Sequence, residues 1–262
     1  MSNKIAFITQ EDPFYVRIFF EEFFGHYGRL SDVAAVFVAP SMGKRTVWQL
    51  ARQMYAFYGP WDFLRMGTRY AYFKIAGRLP LWRGRRFFSI AQVCRAHEIP
   101  VDHVPDVNAP AFLKRLRDLG LDLVVSVAAP QIFRAELIKL PRLGCINIHN
   151  SKLPKYKGML PNFWQMFNGE RVIGTTIHRI DESLDGGAIL LQAEKPVEPG
   201  GSLDERIRMT KREGAHLMIE AIERALAGTL RESASDATQG SYYRFPTNRD
   251  VAEFRRRGMR LL

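Results

Sequence analysis

The stretch Leu121–Ala128 reads LDLVVSVA. After Asp122 it carries no charge, its apolar residues do not alternate with polar ones, and three of them are valines. That pattern predicts a strand covered on both faces, the kind found in parallel sheets flanked by helices. Upstream, Ala109–Leu119 predicts a helix that Gly120 stops. Downstream, a helix over Gln131–Leu140 leads to GCINIH (Gly144–His149), a further strand. Farther out, KIAFIT (Lys4–Thr9) and VAAVFVAP (Val33–Pro40) read as strands separated by a helix over Phe14–His26. Thr46–Gly77 reads as two helices broken at Gly59-Pro60, followed by a helix over Phe88–His97 and a short strand at Val101–Val104. After His149 come a Pro/Gly/Lys loop to Pro161, a helix through Asn168 and a strand Val172–Arg179. A turn at Asp185-Gly186-Gly187 then precedes strand Ala188–Val197. Ser202 and Glu205 have the spacing of a capping box opening a long helix to about Ala227. Strand and helix alternate, which predicts a mostly parallel, doubly wound α/β sheet. In such sheets ligands bind beyond the carboxyl ends of strands, where His149 and Pro130 fall.

The chain has 262 residues, enough for one α/β domain with an appendage. Its 47% hydrophobic and 25% charged residues suit a folded globular protein. Cys94 and Cys145 frame no disulfide scaffold, so a reduced, cytoplasmic protein is the simplest expectation. The apolar run in MSNKIAFITQEDPF is too short for a signal peptide, and no stretch approaches the ~18 uncharged apolar residues of a membrane span. The net charge of +11 points to an anionic partner: nucleotide phosphates, nucleic acid or an acidic membrane surface. Part of the excess is Arg65, Arg69, Lys74, Arg78, Arg83, Arg85 and Arg86, interleaved with Trp61, Phe63, Tyr70, Tyr72, Phe73 and Trp82. More lies in Arg255, Arg256, Arg257 and Arg260.

The candidate chemistry begins at Asn147-Ile148-His149. Residues two apart in a strand share a side, so an amide and an imidazole project together from one strand end. An amide N–H can hold a developing oxyanion, and an imidazole can carry a proton near neutral pH. The following loop, Asn150–Gly158, is rigid at Pro154 and free at Gly158, and can bring backbone groups and lysines against a bound molecule. Leu184-Asp185-Gly186-Gly187 adds a carboxylate beside two glycines. His26, His97, His103 and His216 show no metal-ligand spacing.

Together these segments resemble the folate-dependent formyltransferase family. INIHNSKLPKYKG (Ile146–Gly158) is similar to its N-I-H-x-S-x-L-P-x-Y-x-G signature, and IDESLDGGAILLQ (Ile180–Gln192) to its second, built around L-D-x-G. GTTIHRI lies between them, as in the family. The likeness is strong over Leu121–Gln192 and weaker back to the first strand. It implies a Rossmann-like catalytic domain over residues 1–200, with a helical insertion at about 41–90, and a C-terminal helix and tail (201–262) folding back on it. It implies Asn147, His149 and Asp185 as the catalytic trio, with no metal needed. It implies 10-formyltetrahydrofolate as cosubstrate, lying against Ala129, Pro130, Gln131, Ile132 and Phe133 and over Asp181, Glu182 and Leu184. Lys155, Tyr156, His178 and Tyr243 are the residues expected at the acceptor.

Among the family's acceptors, a ribotide calls for a glycine-rich phosphate loop after the first strand. Here Thr9–Phe14 has no glycine and two acids. The tRNA branch carries a C-terminal RNA-binding domain, and only about thirty-five residues follow the long helix. The hydrolytic branch begins with a regulatory domain, and none precedes Lys4. The expectation is an anionic small molecule rather than nucleic acid: an amino-sugar nucleotide used in surface polysaccharide synthesis, formylated by a chain whose tail Ser241–Thr247 resembles that subgroup's. A lipid-linked sugar, another small metabolite, methionyl-tRNA or hydrolysis of the donor are the alternatives. The aromatic, basic insertion suits either peripheral contact with an anionic membrane or a homodimer.

Overall fold

The computed structural model describes residues 3–40, 46–79, 86–197 and 200–262. Trp82, Arg83 and Arg85 of the basic stretch lie outside the described residues.

Seven strands make the main sheet: β1 (Ile5–Gln10), β2 (Val33–Ala39), β3 (Val101–His103), β4 (Leu123–Val127), β5 (Cys145–His149), β7 (Val172–Arg179) and β8 (Ile189–Pro196). Their order is β3-β2-β1-β4-β5-β7-β8. The first five run parallel, while β7 is antiparallel to β5 and β8 to β7. After β1 the chain fills one side of the sheet and then returns to fill the other, so strand order switches between β1 and β4.

Side-chain alternation divides the strands between two cores. Ile5, Phe7, Val36, Val38, Val125, Val127, Ile146 and Ile148 face α1 (Val16–His26), α3 (Ile90–Ala96) and α7 (Leu203–Leu226). Ala6, Ile8, Phe37, Val124 and Cys145 face α4 (Pro110–Leu119) and Leu137 of α5 (Ala135–Ile138). Every residue of β4 is buried, in keeping with its unpatterned sequence. Ser202 and Glu205 form the full capping box at the start of α7. Because α7 lays Ala215, Met218 and Ala221 on the sheet, residues on both sides of position 200 share one core.

The insertion α2 (Val47–Ala76) is two helical segments meeting at Gly59, whose φ of 67° and ψ of 175° break the helix. Phe57 of α2 joins a third apolar cluster with Tyr156, Phe163 and Trp164 of the loop and α6 (Pro161–Phe167). Val251 and Phe254 of α8 (Asn248–Arg256) complete it, so the tail is packed.

Two helices differ from the sequence reading. The helix expected over Gln131–Leu140 is helical only at Ala135–Ile138. Residues 131–134 are held by the preceding loop instead: Gln131 Nε2 donates to Pro105 O (2.8 Å), Asn108 Nδ2 donates to Ile132 O (2.9 Å), and Arg134 N donates to Asn108 Oδ1 (2.9 Å). Helix α8 had no counterpart in the sequence reading. Only Val251 and Phe254 are buried along it, too sparse a stripe to stand out among charged residues.

Gly187 closes the loop between β7 and β8. A Cβ there would collide with the carbonyl oxygen of Arg179, which is backbone and cannot swing aside. Gly187→Ala should therefore lower thermal stability by several degrees in a calorimetric scan, on the scale of ~1–3 kcal/mol for strained backbone; an unchanged Tm would show that the loop tolerates the side chain.

Candidate active site

β5 delivers two polar side chains to its carboxyl end. Asn147 lies between Ser126 of β4 and His178 of β7, and His149 opposite Thr176 of β7. His178 and His149 are both buried. The Nδ1 of His178 donates to the backbone carbonyl of Arg179 at 2.8 Å, which leaves Nε2 as an acceptor. Asn147 Nδ2 donates to that nitrogen at 3.0 Å. The neutral imidazole thus dictates which way the amide points, and the second N–H of Asn147 is left for another partner. His149 is oriented from its other end: Nε2 donates to Tyr156 O at 2.8 Å, turning Nδ1 toward Asp185.

Asp185 stands between the two rings. One carboxylate oxygen is 3.7 Å from His149 Nδ1 and the other 3.8 Å from His178 Nε2. Gly158 N donates to the carboxylate at 2.9 Å. Neither histidine distance is a direct hydrogen bond, so the carboxylate faces both rings without bonding either. Asp185 itself adopts a left-handed backbone (φ 48°), as do Ala128 (φ 54°), Tyr156 (φ 60°) and Leu160 (φ 49°) around it. Non-glycine residues seldom take this conformation, and its concentration here marks a site whose surroundings over-determine the backbone.

These residues open on a cavity of about 790 Å³ at the carboxyl ends of β1, β4 and β5. Asn147, His149, Asp185 and His178 line it, as do Ala129, Pro130, Gln131, Ile132, Phe133, Asp181, Glu182 and Leu184. Ile132 and Leu184 lie on two separate loops and are unusually exposed for their type, at 74% and 53%. Two such apolar surfaces can grip a flat, partly apolar ligand.

Lys155, Tyr156 and Tyr243 are not among the lining residues. Lys155 is exposed outside it. Tyr156 stacks on Tyr243 (5.3 Å between centroids), which in turn stacks on Trp164 (4.7 Å), so both rings are packing groups. Tyr242 lines the cavity instead, on β9 (Tyr242–Tyr243), which pairs with β6 (Lys157–Gly158). A Cβ on Gly158 would collide with the Tyr243 carbonyl, so glycine is what allows the tail to close over the site.

A smaller chamber of about 290 Å³ shares Gln10, Ala128, Asn150, Leu160, Pro161, Lys211 and Phe245 with the cavity. Asp12, Tyr15, Asn162 and three residues of α2, Met54, Phe57 and Tyr58, are among its other walls. The side-chain oxygens of Asn150 and Asn162 are buried here with no hydrogen-bond partner in the protein. Lys211 is also buried, and burial pushes its ammonium pKa down while raising that of Asp12. Asp12 accepts from the backbone N–H groups of Phe14 (2.8 Å) and Tyr15 (3.1 Å), so these donors after β1 are already engaged. Sequence reasoning missed Lys211 and Asn162, which no motif or spacing singles out. Although the remaining histidines have no metal spacing, Glu22, His26 and His216 meet on the outer sides of α1 and α7. None of the three lines the cavity.

Residues 91–222 match the formyl transferase domain family, and the chain belongs to that family. Methionyl-tRNA formyltransferase of Lachnospira eligens is 37% identical over 150 residues, 56% of this chain and 47% of that one. The chain thus spans about half the length of the curated relatives it matches. Glycinamide ribonucleotide transformylase 1 from Symbiobacterium toebii has a similar fold, with a TM-score of 0.61 at 18% identity over 89% of this chain and 94% of that one. So does the N-formyltransferase from Helicobacter canadensis, solved with folinic acid and dTDP-3-aminofucose, with a TM-score of 0.57 at 17% identity over 92% and 71% of the two chains.

Burial holds the His178 pKa below its ordinary value, against the pull of the Asp185 carboxylate. On acidification the unfolded chain therefore takes up this proton first, near pH ~6.5. The stability contributed by neutral His178 is complete above that pH and is lost as the pH falls toward the folded-state value. Denaturant titrations between about pH 7 and 5 should show wild type losing more stability than His178→Gln; parallel losses would contradict the assignment.

Proposed function

We propose that this chain transfers the formyl group of 10-formyltetrahydrofolate to the primary amine of an amino sugar carried on a nucleotide. The observation that carries the reading is the meeting of the Asn147 amide, the His149 imidazole and the Asp185 carboxylate on the wall of the larger cavity, which shares Asn150, the residue after His149, with the smaller chamber.

The larger cavity is the donor side. Its volume lies within the range of small-molecule sites, and Ile132, Phe133 and Leu184 offer apolar faces to a folate ring while the backbone of 129–133 and the 181–184 loop offer polar groups. Placed against these three side chains, the formyl carbon is attacked by the neutral amine. The N–H of Asn147 that is not engaged by His178 donates to the formyl oxygen as negative charge develops there. His149 Nδ1, facing Asp185, takes the proton that the attacking nitrogen loses and returns one to the departing folate nitrogen; Asp185 steers that transfer directly or through a water. The new C–N bond forms as the old one breaks, and no net proton is consumed.

The smaller chamber is the acceptor side. Two buried amide oxygens without partners call for hydrogen-bond donors, which the hydroxyls of a sugar supply, and Lys211 can bind one of the sugar's oxygens. The turn after β1 offers little to a phosphate, because Asp12 already holds its backbone donors. That favours a sugar in the chamber with its phosphates outside, where the protein's positive charge attracts them.

The purified chain, given 10-formyltetrahydrofolate and a panel of amino-sugar nucleotides alongside methionyl-tRNA, should formylate a sugar nucleotide, as read by mass spectrometry. Formylation of methionyl-tRNA alone would overturn the acceptor reading, and no formyl transfer to anything would overturn the activity. Asn147→Ala should lower kcat by about 100- to 1000-fold, the usual effect of removing one oxyanion donor. Lys211→Met should act mainly through KM for the acceptor. Full kcat in Asn147→Ala would remove the amide from the mechanism.

A further inference from the structure

The second segment of α2 has two faces of different character. Met66, Phe73 and Ala76 are buried, and Arg69 is tied to Asp204 of α7 at 2.9 Å, so the inner face is firmly docked. On the opposite side, Trp61, Leu64, Thr68, Ala71 and Ile75 recur every three or four residues, and Leu79 extends the row just past the helix. All six are exposed, Trp61 at 78%, Ile75 at 62% and Leu64 at 58%. Alternating steps of three and four residues make one helical stripe. A helix with its inner face already packed has no internal use for a second apolar stripe, and large apolar patches left on a surface mark a contact.

Charge identifies the partner. Arg65, Lys74 and Arg78 are exposed beside the stripe. The sole acid within Val47–Ala76 is Asp62, which is 3.3 Å from both Arg65 and Arg255. The first segment adds Trp48, exposed at 84%, with Arg52 and Tyr55 one and two turns on. A second copy is a poor match, since a two-fold contact sets this basic face against itself with only Asp62 of the helix, already paired with Arg65 and Arg255, to receive it. Aliphatic side chains such as Leu64 and Ile75 have no role in stacking on nucleic-acid bases. Tryptophan and aliphatic side chains flanked by bases suit the boundary of an anionic lipid layer, where the stripe enters the acyl region and the cations meet headgroups. No helix among the described residues is long and apolar enough to cross a membrane, so a lipid contact of this helix runs along the surface and not through it.

We propose that the outer face of α2 docks the protein on anionic membranes, through Trp61, Leu64 and Ile75 in the lipid boundary and Arg65, Lys74 and Arg78 at the headgroups. The docking does not depend on which amine is formylated. Met54, Phe57 and Tyr58 of the same α2 wall the smaller chamber, so one element carries both the lipid contact and part of the acceptor side.

Vesicle co-sedimentation of the full chain tests this. Phosphatidylcholine vesicles containing about 30% phosphatidylserine should bind the protein, and phosphatidylcholine alone should bind it at least about tenfold less. Raising salt to about 0.5 M should release much of the bound fraction. Trp61→Ser/Ile75→Ser and, separately, Lys74→Glu/Arg78→Glu should each weaken binding by about tenfold or more; circular dichroism confirms that the variants fold, and the two pairs change different chemistry. Failure of wild type to bind the anionic vesicles would overturn the proposal, as would binding that neither folded pair weakens. A wild-type dimer in light scattering that Trp61→Ser/Ile75→Ser converts to monomer would assign the face to a second copy and overturn it equally.

Discussion

The placement of the Asp185 carboxylate between His149 and His178 is the constraint on which the site depends. Each ring has one nitrogen tied to a backbone carbonyl, that of Tyr156 for His149 and that of Arg179 for His178. The nitrogens that remain face the carboxylate at 3.7 and 3.8 Å. The same arrangement fixes Asn147, because a His178 that can only accept at Nε2 requires the amide to offer N–H. Three polar groups are thereby oriented without a direct contact between the carboxylate and either ring. A burial penalty keeps His178 neutral, and that neutrality is what makes it an acceptor.

The fold supplies this arrangement from parts far apart in the chain. β5 and β7 bring Asn147, His149 and His178 into register. The loop closed by Gly187 carries Asp185 back over the strand ends, and β6 contributes the Gly158 N–H that holds it. The tail then pairs with β6 through β9, so the polypeptide's last sixty residues both brace the sheet through α7 and cover the site. Strain gathers in the same place, at Ala128, Tyr156, Leu160 and Asp185. A stable α/β core elsewhere is what can hold such a backbone.

Much of this was legible in the sequence, for reasons that differ from element to element. The buried strand β4 announced itself because a strand covered on both faces has no polar alternation to obscure it. Asn147 and His149 were legible as a pair because their spacing sets them on one side of a strand, and Asp185 because it sits in a recognisable segment. Tyr156 and Tyr243, expected at the acceptor, lie outside the cavity lining: an aromatic beside a functional loop serves equally well as packing, and the stack with Trp164 is not visible in the sequence. Lys211 stayed hidden because its position on α7 becomes meaningful only when that helix packs beside α1 and α6 and brings it to the chamber that Gln10 and Asp12 also line. The helix α5 was overestimated because the Asn108 side chain captures the backbone of Ile132 and Arg134 while the Gln131 side chain ties back to the backbone of Pro105 and Val107, a tertiary effect with no local signal.

The arrangement of the site requires one protonation pattern in the two rings. Nitrogen-15 NMR of imidazole-labelled protein at neutral pH reads it directly, with His178→Gln and His149→Gln assigning the resonances. His178 should be the neutral Nδ1–H tautomer, and His149 should carry a proton on Nε2. A doubly protonated His178, or one carrying its proton on Nε2, would turn the Asn147 amide around and remove its N–H from the site, contradicting the arrangement described.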